Sequence, residues 1–142
     1  MLYLTKEMKK IIVLFLTFPI ILCCNDSNFN NNNPYLPDYK FKVDIYINFY
    51  DKLRFSGNAI YTSEAGIRGL IIFNTGSGYI AFDAACPNQT PSTCSPMTID
   101  GIDAVCSCDN YSYSIFTGDG GRQYPMKQYR VEVMGAIIRV YN

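Results

Sequence analysis

The sequence predicts an all-β domain, a small sandwich or barrel, and three observations carry that expectation. Twelve tyrosines and nine phenylalanines stand against no tryptophan, and aromatic side chains with the many Val, Ile and Thr suit a pleated, half-buried surface. From Asp38 onward, short apolar runs alternate with turn signals at close intervals, which is the rhythm of a sandwich or barrel. Good helix formers are sparse beyond the first twenty residues. A chain of 142 residues has room for one core and not for two.

Taken in order, residues 1–23 read as a signal peptide. Lys6, Lys9 and Lys10 give a positive start, and Ile11 to Leu22 is a run of twelve residues without a charge. That run fits a signal-peptide apolar region and falls short of the roughly 20 apolar residues that span a bilayer. Cys23 and Cys24 follow, then the polar Asn25-Asp26-Ser27-Asn28. A cysteine closing an apolar stretch and opening a polar tether resembles a bacterial lipoprotein signal, and the resemblance implies lipidation at Cys24. Such signals usually carry Gly, Ala or Ser where Cys23 stands. The expected location is therefore the bacterial cell envelope, exported and lipid-anchored, with the membrane as a place of attachment.

Residues 24–37 hold the anchor site and an asparagine-rich run with two prolines. That composition buries too little apolar surface to offset the entropy of ordering, so a flexible linker is expected. Residues 38–142 form the expected domain. Lys40 to Tyr50 alternates with period two, setting Phe41, Val43, Ile45, Ile47 and Phe49 on one face. Gly69–Asn74 and Tyr79–Asp83 flank Thr75-Gly76-Ser77-Gly78, a hairpin signal. Met97–Asp100 and Asp103–Cys106 flank another at Asp100-Gly101, and Gln128–Val133 and Ile137–Tyr141 a third at Gly135-Ala136. Tyr111–Phe116 runs into Thr117-Gly118-Asp119-Gly120-Gly121, a turn and not a phosphate loop, because no helix pattern or lysine follows. Residues 38–68 read as strands with no recognisable chemistry.

Charge excludes one class of function. Beyond residue 23 the chain has nine Lys/Arg and eleven Asp/Glu, a net of −2. No basic patch with interleaved aromatics occurs, so nucleic acid is not an expected partner.

Cysteine is the most informative residue. Cys86, Cys94, Cys106 and Cys108 lie in the expected domain, and four cysteines in an exported chain are first a disulfide framework with three possible pairings. Their context says more. The chain reads Cys86-x-Asn88, then seventeen residues, then Cys106-x-x-Asp109. Cys106-Ser-Cys-Asp-Asn-Tyr-Ser-Tyr-Ser-Ile-Phe-Thr-Gly118 and the later Pro125-Met-Lys-Gln-Tyr-Arg-Val-Glu-Val133 complete a pattern. Over residues 69–142 it resembles the Rieske iron-sulfur domain family, whose loops read Cys-x-His and, about sixteen residues on, Cys-x-x-His around a [2Fe-2S] cluster. Tyr113 takes the family's aromatic position and Thr117-Gly118 its turn.

The resemblance places Cys86 and Cys106 at the thiolate ligand positions, with Asn88 and Asp109 where the histidines belong. It implies that Cys94 and Cys108 form the disulfide that ties the two loops in respiratory-type members, although Cys94 lies further from Asn88 than the family spacing. The chain contains no histidine at all, so its own residues cannot supply the family's ligand set. A neutral amide at Asn88 is a poor iron ligand, and the hard carboxylate of Asp109 suits other metals better.

Three readings of the tip follow. In the first, Cys86 bonds to Cys106 and Cys94 to Cys108, no cofactor is held, and the domain serves as a structural or interaction module for an unidentified protein partner. In the second, the four cysteines, or two cysteines with Asp109, hold an atypical [2Fe-2S] centre that passes electrons. In the third, Cys86, Cys94, Cys106 and Cys108 hold zinc, whose tetrahedral thiolate sites need no histidine. An oxidising compartment favours the first. Thiol exchange at Cys106-Ser107-Cys108 finds no nearby base or cation in the sequence to lower a thiol pKa. Without histidine no Ser/His/Asp set is possible, and no catalytic residues are assigned.

Overall fold

The computed structural model describes residues 32–142. The expected signal peptide, the lipidation site at Cys24 and most of the linker lie outside the described residues. The all-β class is the one that forms. Among the described residues nine strands run β1 (Lys42–Tyr46), β2 (Ala59–Thr62), β3 (Leu70–Asn74), β4 (Tyr79–Asp83), β5 (Thr98–Asp100), β6 (Asp103–Cys106), β7 (Tyr111–Ser114), β8 (Gln128–Met134) and β9 (Ile137–Tyr141). They make a six-stranded sheet of order β1-β9-β8-β4-β3-β2 and a three-stranded sheet β5-β6-β7, with every described pairing antiparallel.

Strand β3 explains how the layers meet. Its sequence LIIFN is apolar on both faces and all five residues are buried, as expected for a short continuous apolar run. Alternation sends Ile71 and Phe73 into one core with Phe82, Cys86, Met97, Cys106, Tyr113 and Met126. Leu70 and Ile72 point the other way, joining Ile45, Leu53, Ile60, Tyr129, Ile138 and Val140. The first core lies under the cysteine loops and the second under the opposite face of the large sheet.

The hairpins form where the turn residues predicted them. Gly76, Gly101 and Gly135 sit in the turns with φ of 90°, 60° and 60°, a region that costs other residues strain. The single strand expected over Lys40–Tyr50 is shorter. After Tyr46 the chain enters two 3-10 turns, Ile47–Phe49 and Asp51–Arg54, so the alternation of face breaks and Phe49 is 80% exposed. Burying Leu53 in the second core is what these turns accomplish.

The end of the expected linker is docked. Leu36 is fully buried and Asn33 nearly so, and the Asn33 Nδ2 donates to the Pro87 carbonyl at 2.6 Å. Lys127, also buried, reaches back to Asp38 in an ion pair and donates to the Leu36 carbonyl at 3.5 Å. A buried ammonium needs such partners, since an unpaired one loses its hydration without return. Residues 33–38 therefore belong to the folded body.

Candidate functional site

Two loops converge at one end of the small sheet. The first leaves β4 at Ala84 and returns to β5, closed at its base by the Met97 N–H donating to the Ala84 carbonyl at 2.7 Å. The second is the β6–β7 hairpin, in which Cys106 pairs in register with Tyr111. Its tight turn is completed by Asn110, which adopts a φ of 58° and donates its N–H to the Cys106 carbonyl at 2.8 Å. Asn tolerates this left-handed conformation better than most residues.

Within this tip Cys86 bonds to Cys106, their Cα atoms 5.5 Å apart, and Cys94 bonds to Cys108, their Cα atoms 5.2 Å apart. Both separations lie in the ordinary disulfide range. The inner bridge is buried, each cysteine being 1% exposed, among Phe82, Met97 and Tyr113. The outer bridge is open to solvent at Cys94 and half-buried at Cys108. The sulfurs of Cys86, Cys106 and Cys108 lie within 4.8 Å of one another, while that of Cys94 is outside the group.

The two positions that the resemblance assigns to lost ligands are both occupied with other work. Asn88 forms a two-way pair with the backbone of Tyr124, donating from Nδ2 to its carbonyl at 2.7 Å and accepting its N–H on Oδ1 at 3.0 Å. The second Nδ2 hydrogen goes to the Tyr113 hydroxyl at 2.9 Å. Burial pushes the Tyr113 phenol up, opposed by that hydrogen bond. All the donors and one acceptor of this amide are thus spent on holding the first loop against residues 113 and 124.

Asp109 accepts the Tyr111 N–H at 3.1 Å, shaping the hairpin turn, and lies 3.9 Å from the Arg122 guanidinium. Arg122 in turn stacks on the Tyr111 ring, 3.6 Å from its centroid. The ion pair is partly exposed and adds little by itself.

A donor set for the family's cluster therefore does not fit here: both ligand-position sulfurs are bonded to each other, no imidazole exists in the chain, and the two substitutes face protein atoms. The aromatic and proline residues of the tip are only partly accessible to a partner. Pro87 and Tyr113 are buried, which leaves the half-buried Pro91, Pro96 and Tyr111 near the surface.

Sequence reasoning did not single out Asp83, the fully buried carboxylate at the end of β4. Its Oδ1 accepts the Ala85 N–H at 2.7 Å and the Arg68 N–H at 3.3 Å. Its Oδ2 accepts the Ile67 N–H at 2.5 Å and the Tyr129 hydroxyl at 2.7 Å. One side chain thus fixes the first residues of the cysteine loop to the turn before β3 and to β8. The available signal was a charge inside the apolar run Tyr79-Ile-Ala-Phe-Asp-Ala-Ala85, since a buried charge persists only when it is hydrogen-bonded.

Among solved structures, the chain is similar to the ferredoxin of carbazole 1,9a-dioxygenase from Nocardioides aromaticivorans IC177, at 14% identity and a TM-score of 0.48 over 72% of this chain and 97% of that one. It is also similar to a protein described as a nitrite reductase NADPH small-subunit oxidoreductase, at 15% identity and a TM-score of 0.44 over 70% of this chain and 97% of the other. No family model and no curated protein matches the chain. At such identity the likeness concerns the path of the backbone alone, and the chemistry of the tip follows from its own side chains.

The role of Asn88 is directly testable. Asn88→Ala strips the Tyr124 N–H and carbonyl and the Tyr113 hydroxyl of their partner, and a loss of about 2 to 3 kcal/mol in unfolding free energy is expected. Urea titration of the variant checks this; a change below about 0.5 kcal/mol would show the amide pair to be incidental.

Proposed function

We propose that this chain is an envelope-tethered, Rieske-like module whose cluster site has become a disulfide-locked, cluster-free tip, acting as a structural or interaction element and not as an electron carrier. The observation that carries the reading is the state of the ligand positions. The sulfurs of Cys86 and Cys106, which the family resemblance assigns to one iron, are bonded to each other, and Asn88 and Asp109 are held by protein atoms. Each bridge replaces part of the staple that a cluster would provide, worth about 2 to 4 kcal/mol.

Lipidation at Cys24 and attachment to the bacterial envelope rest on the lipoprotein-like signal in residues 6–28. In this reading the module's partner is a protein. The competing assignments, an atypical [2Fe-2S] centre or zinc at the four cysteines, require the bridges to be open.

The test is made on protein exported and purified without reductant. It should be colourless, lack stoichiometric iron and zinc, and show no thiol that reacts with a maleimide under denaturing conditions beyond any at residues 23 and 24. A reducible iron pair seen by electron paramagnetic resonance in the untreated material would overturn the assignment in favour of electron transfer. One equivalent of zinc without iron would select the metal module.

A further inference from the structure

We propose that the two bridges form a thiol–disulfide relay: an external dithiol opens Cys94–Cys108, and the freed Cys108 thiolate then displaces Cys106 from Cys86. The inference rests on the disulfide reading of the tip and goes beyond a passive lock.

Three observations support it. The bridges differ in access, the outer one presenting Cys94 to solvent while both cysteines of the inner one are 1% exposed. An external reductant therefore meets the outer bridge first. The three sulfurs needed for internal exchange are already grouped, with Cys86, Cys106 and Cys108 within 4.8 Å of one another. Cys94 lies outside the group, so only one of the two outer cysteines is positioned to continue the reaction.

The third observation concerns the leaving sulfurs. Gln89 donates from Nε2 to the Cys106 Sγ at 3.0 Å. The Ser92 hydroxyl lies 3.1 Å from the Cys94 Sγ and 3.6 Å from that of Cys108. Since sulfurs in a bridge carry no hydrogen, serine is the donor. Ser92 is itself fixed, its N–H donating to the Ser95 Oγ at 3.2 Å and its carbonyl accepting from that hydroxyl at 3.2 Å and from Arg68. Donors aimed at a sulfur favour its thiolate and so its departure.

The steps balance. A thiolate of the external dithiol attacks the Cys94 sulfur, the bond to Cys108 breaks, and Cys108 leaves with the electron pair. The second thiolate of the reagent then releases Cys94 as a thiolate, so the dithiol is oxidised to its disulfide and the outer bridge is reduced by two electrons. Cys108 next attacks the Cys86 sulfur, forming Cys86–Cys108 and releasing the Cys106 thiolate beside Gln89. This last step transfers a bond with no net oxidation or reduction. It moves the remaining bridge from a buried pair to one that includes a half-buried sulfur, where a second dithiol can reach it.

Full-length oxidised protein is treated with one equivalent of dithiothreitol, quenched with iodoacetamide, and mapped by non-reducing peptide mass spectrometry. Label on Cys94 and Cys106 with a Cys86–Cys108 bridge is expected; label confined to Cys94 and Cys108 would overturn the relay. Two variants that lose the same bridge provide a second reading. Cys94→Ser keeps the attacking sulfur and Cys108→Ser removes it, so reduction of the remaining bridge is expected to be at least roughly tenfold faster in the former. Equal rates overturn the proposal, and circular dichroism establishes that both variants are folded. Thiols that take label before any dithiothreitol is added remove the disulfide reading itself; intact bridges at the start with no exchange afterwards remove the relay alone.

Discussion

Asp83→Ala is expected to lower the unfolding free energy by about 3 to 5 kcal/mol, one of the two largest effects in the domain. The carboxylate is fully buried and accepts four hydrogen bonds, three from backbone N–H groups and one from Tyr129. Alanine leaves the Ala85 N–H and the Tyr129 hydroxyl without an acceptor in the buried interior and the Ile67 and Arg68 N–H groups without one at its partly buried edge, and a buried orphaned donor costs more than a typical hydrogen bond returns. Tyr129 makes the loss worse: burial first, and the Asp83 charge second, drive its phenol far above the usual tyrosine range, so it stays protonated and needs an acceptor. Asp83→Asn does not restore the arrangement. The amide fills the same volume but turns an NH2 toward N–H donors that require an oxygen, and a loss of at least about 2 kcal/mol is expected. Urea unfolding of both variants decides the matter; an alanine variant within about 1 kcal/mol of the parent would mean that the site relaxes around the gap.

Removing the inner bridge with Cys86→Ala and Cys106→Ala together should cost about 3 kcal/mol from loop-closure entropy alone. The outer pair, Cys94→Ala with Cys108→Ala, should cost nearly the same on that basis. The sequence separations are 20 and 14, and the logarithm compresses the difference to about 0.3 kcal/mol. Packing separates them. The inner sulfurs fill space beside Phe82, Met97 and Tyr113, whereas the outer bridge is partly exposed, so the inner pair should cost at least about 1 kcal/mol more. Thermal or urea unfolding of the two double variants measures the gap, and equal losses would mean that the inner bridge acts through chain entropy alone. Cys86→Ser by itself should also leave Cys106 reactive toward iodoacetamide once the protein is unfolded.

The parts of the fold that were legible in the sequence are those fixed by local rules. Short apolar runs and the glycine turns between them located β3 through β9, because chain reversal at positive φ is decided within a few residues. Strand β1 came out longer in the sequence than in the structure, since Ile47 and Phe49 continue the alternation while tertiary contacts of Leu53 pull the chain into 3-10 turns. Strand β2 (Ala59–Thr62) had no strong pattern of its own and gains its definition from pairing with β3.

At the tip, the family resemblance carried by Cys86, Asn88, Cys106 and Asp109 implied that the two loops come together. What Asn88 touches was not legible, because Tyr124 lies 36 residues away and an amide has no preferred partner in sequence. The docking of Asn33 and Leu36 was hidden for a similar reason. Their surroundings are asparagine-rich, and composition speaks for solvent until a specific contact such as the Pro87 carbonyl, 54 residues distant, outweighs it.

That contact also sets the route of mechanical load. Any pull on the backbone upstream of Asn33 meets the Pro87 carbonyl and the grip of Lys127 on Leu36 and Asp38 before it reaches β1 at Lys42. Strain arriving from the N-terminal side is thus delivered to the cysteine-bearing end first, and the β1–β9 ladder is peeled only after that clasp has given way.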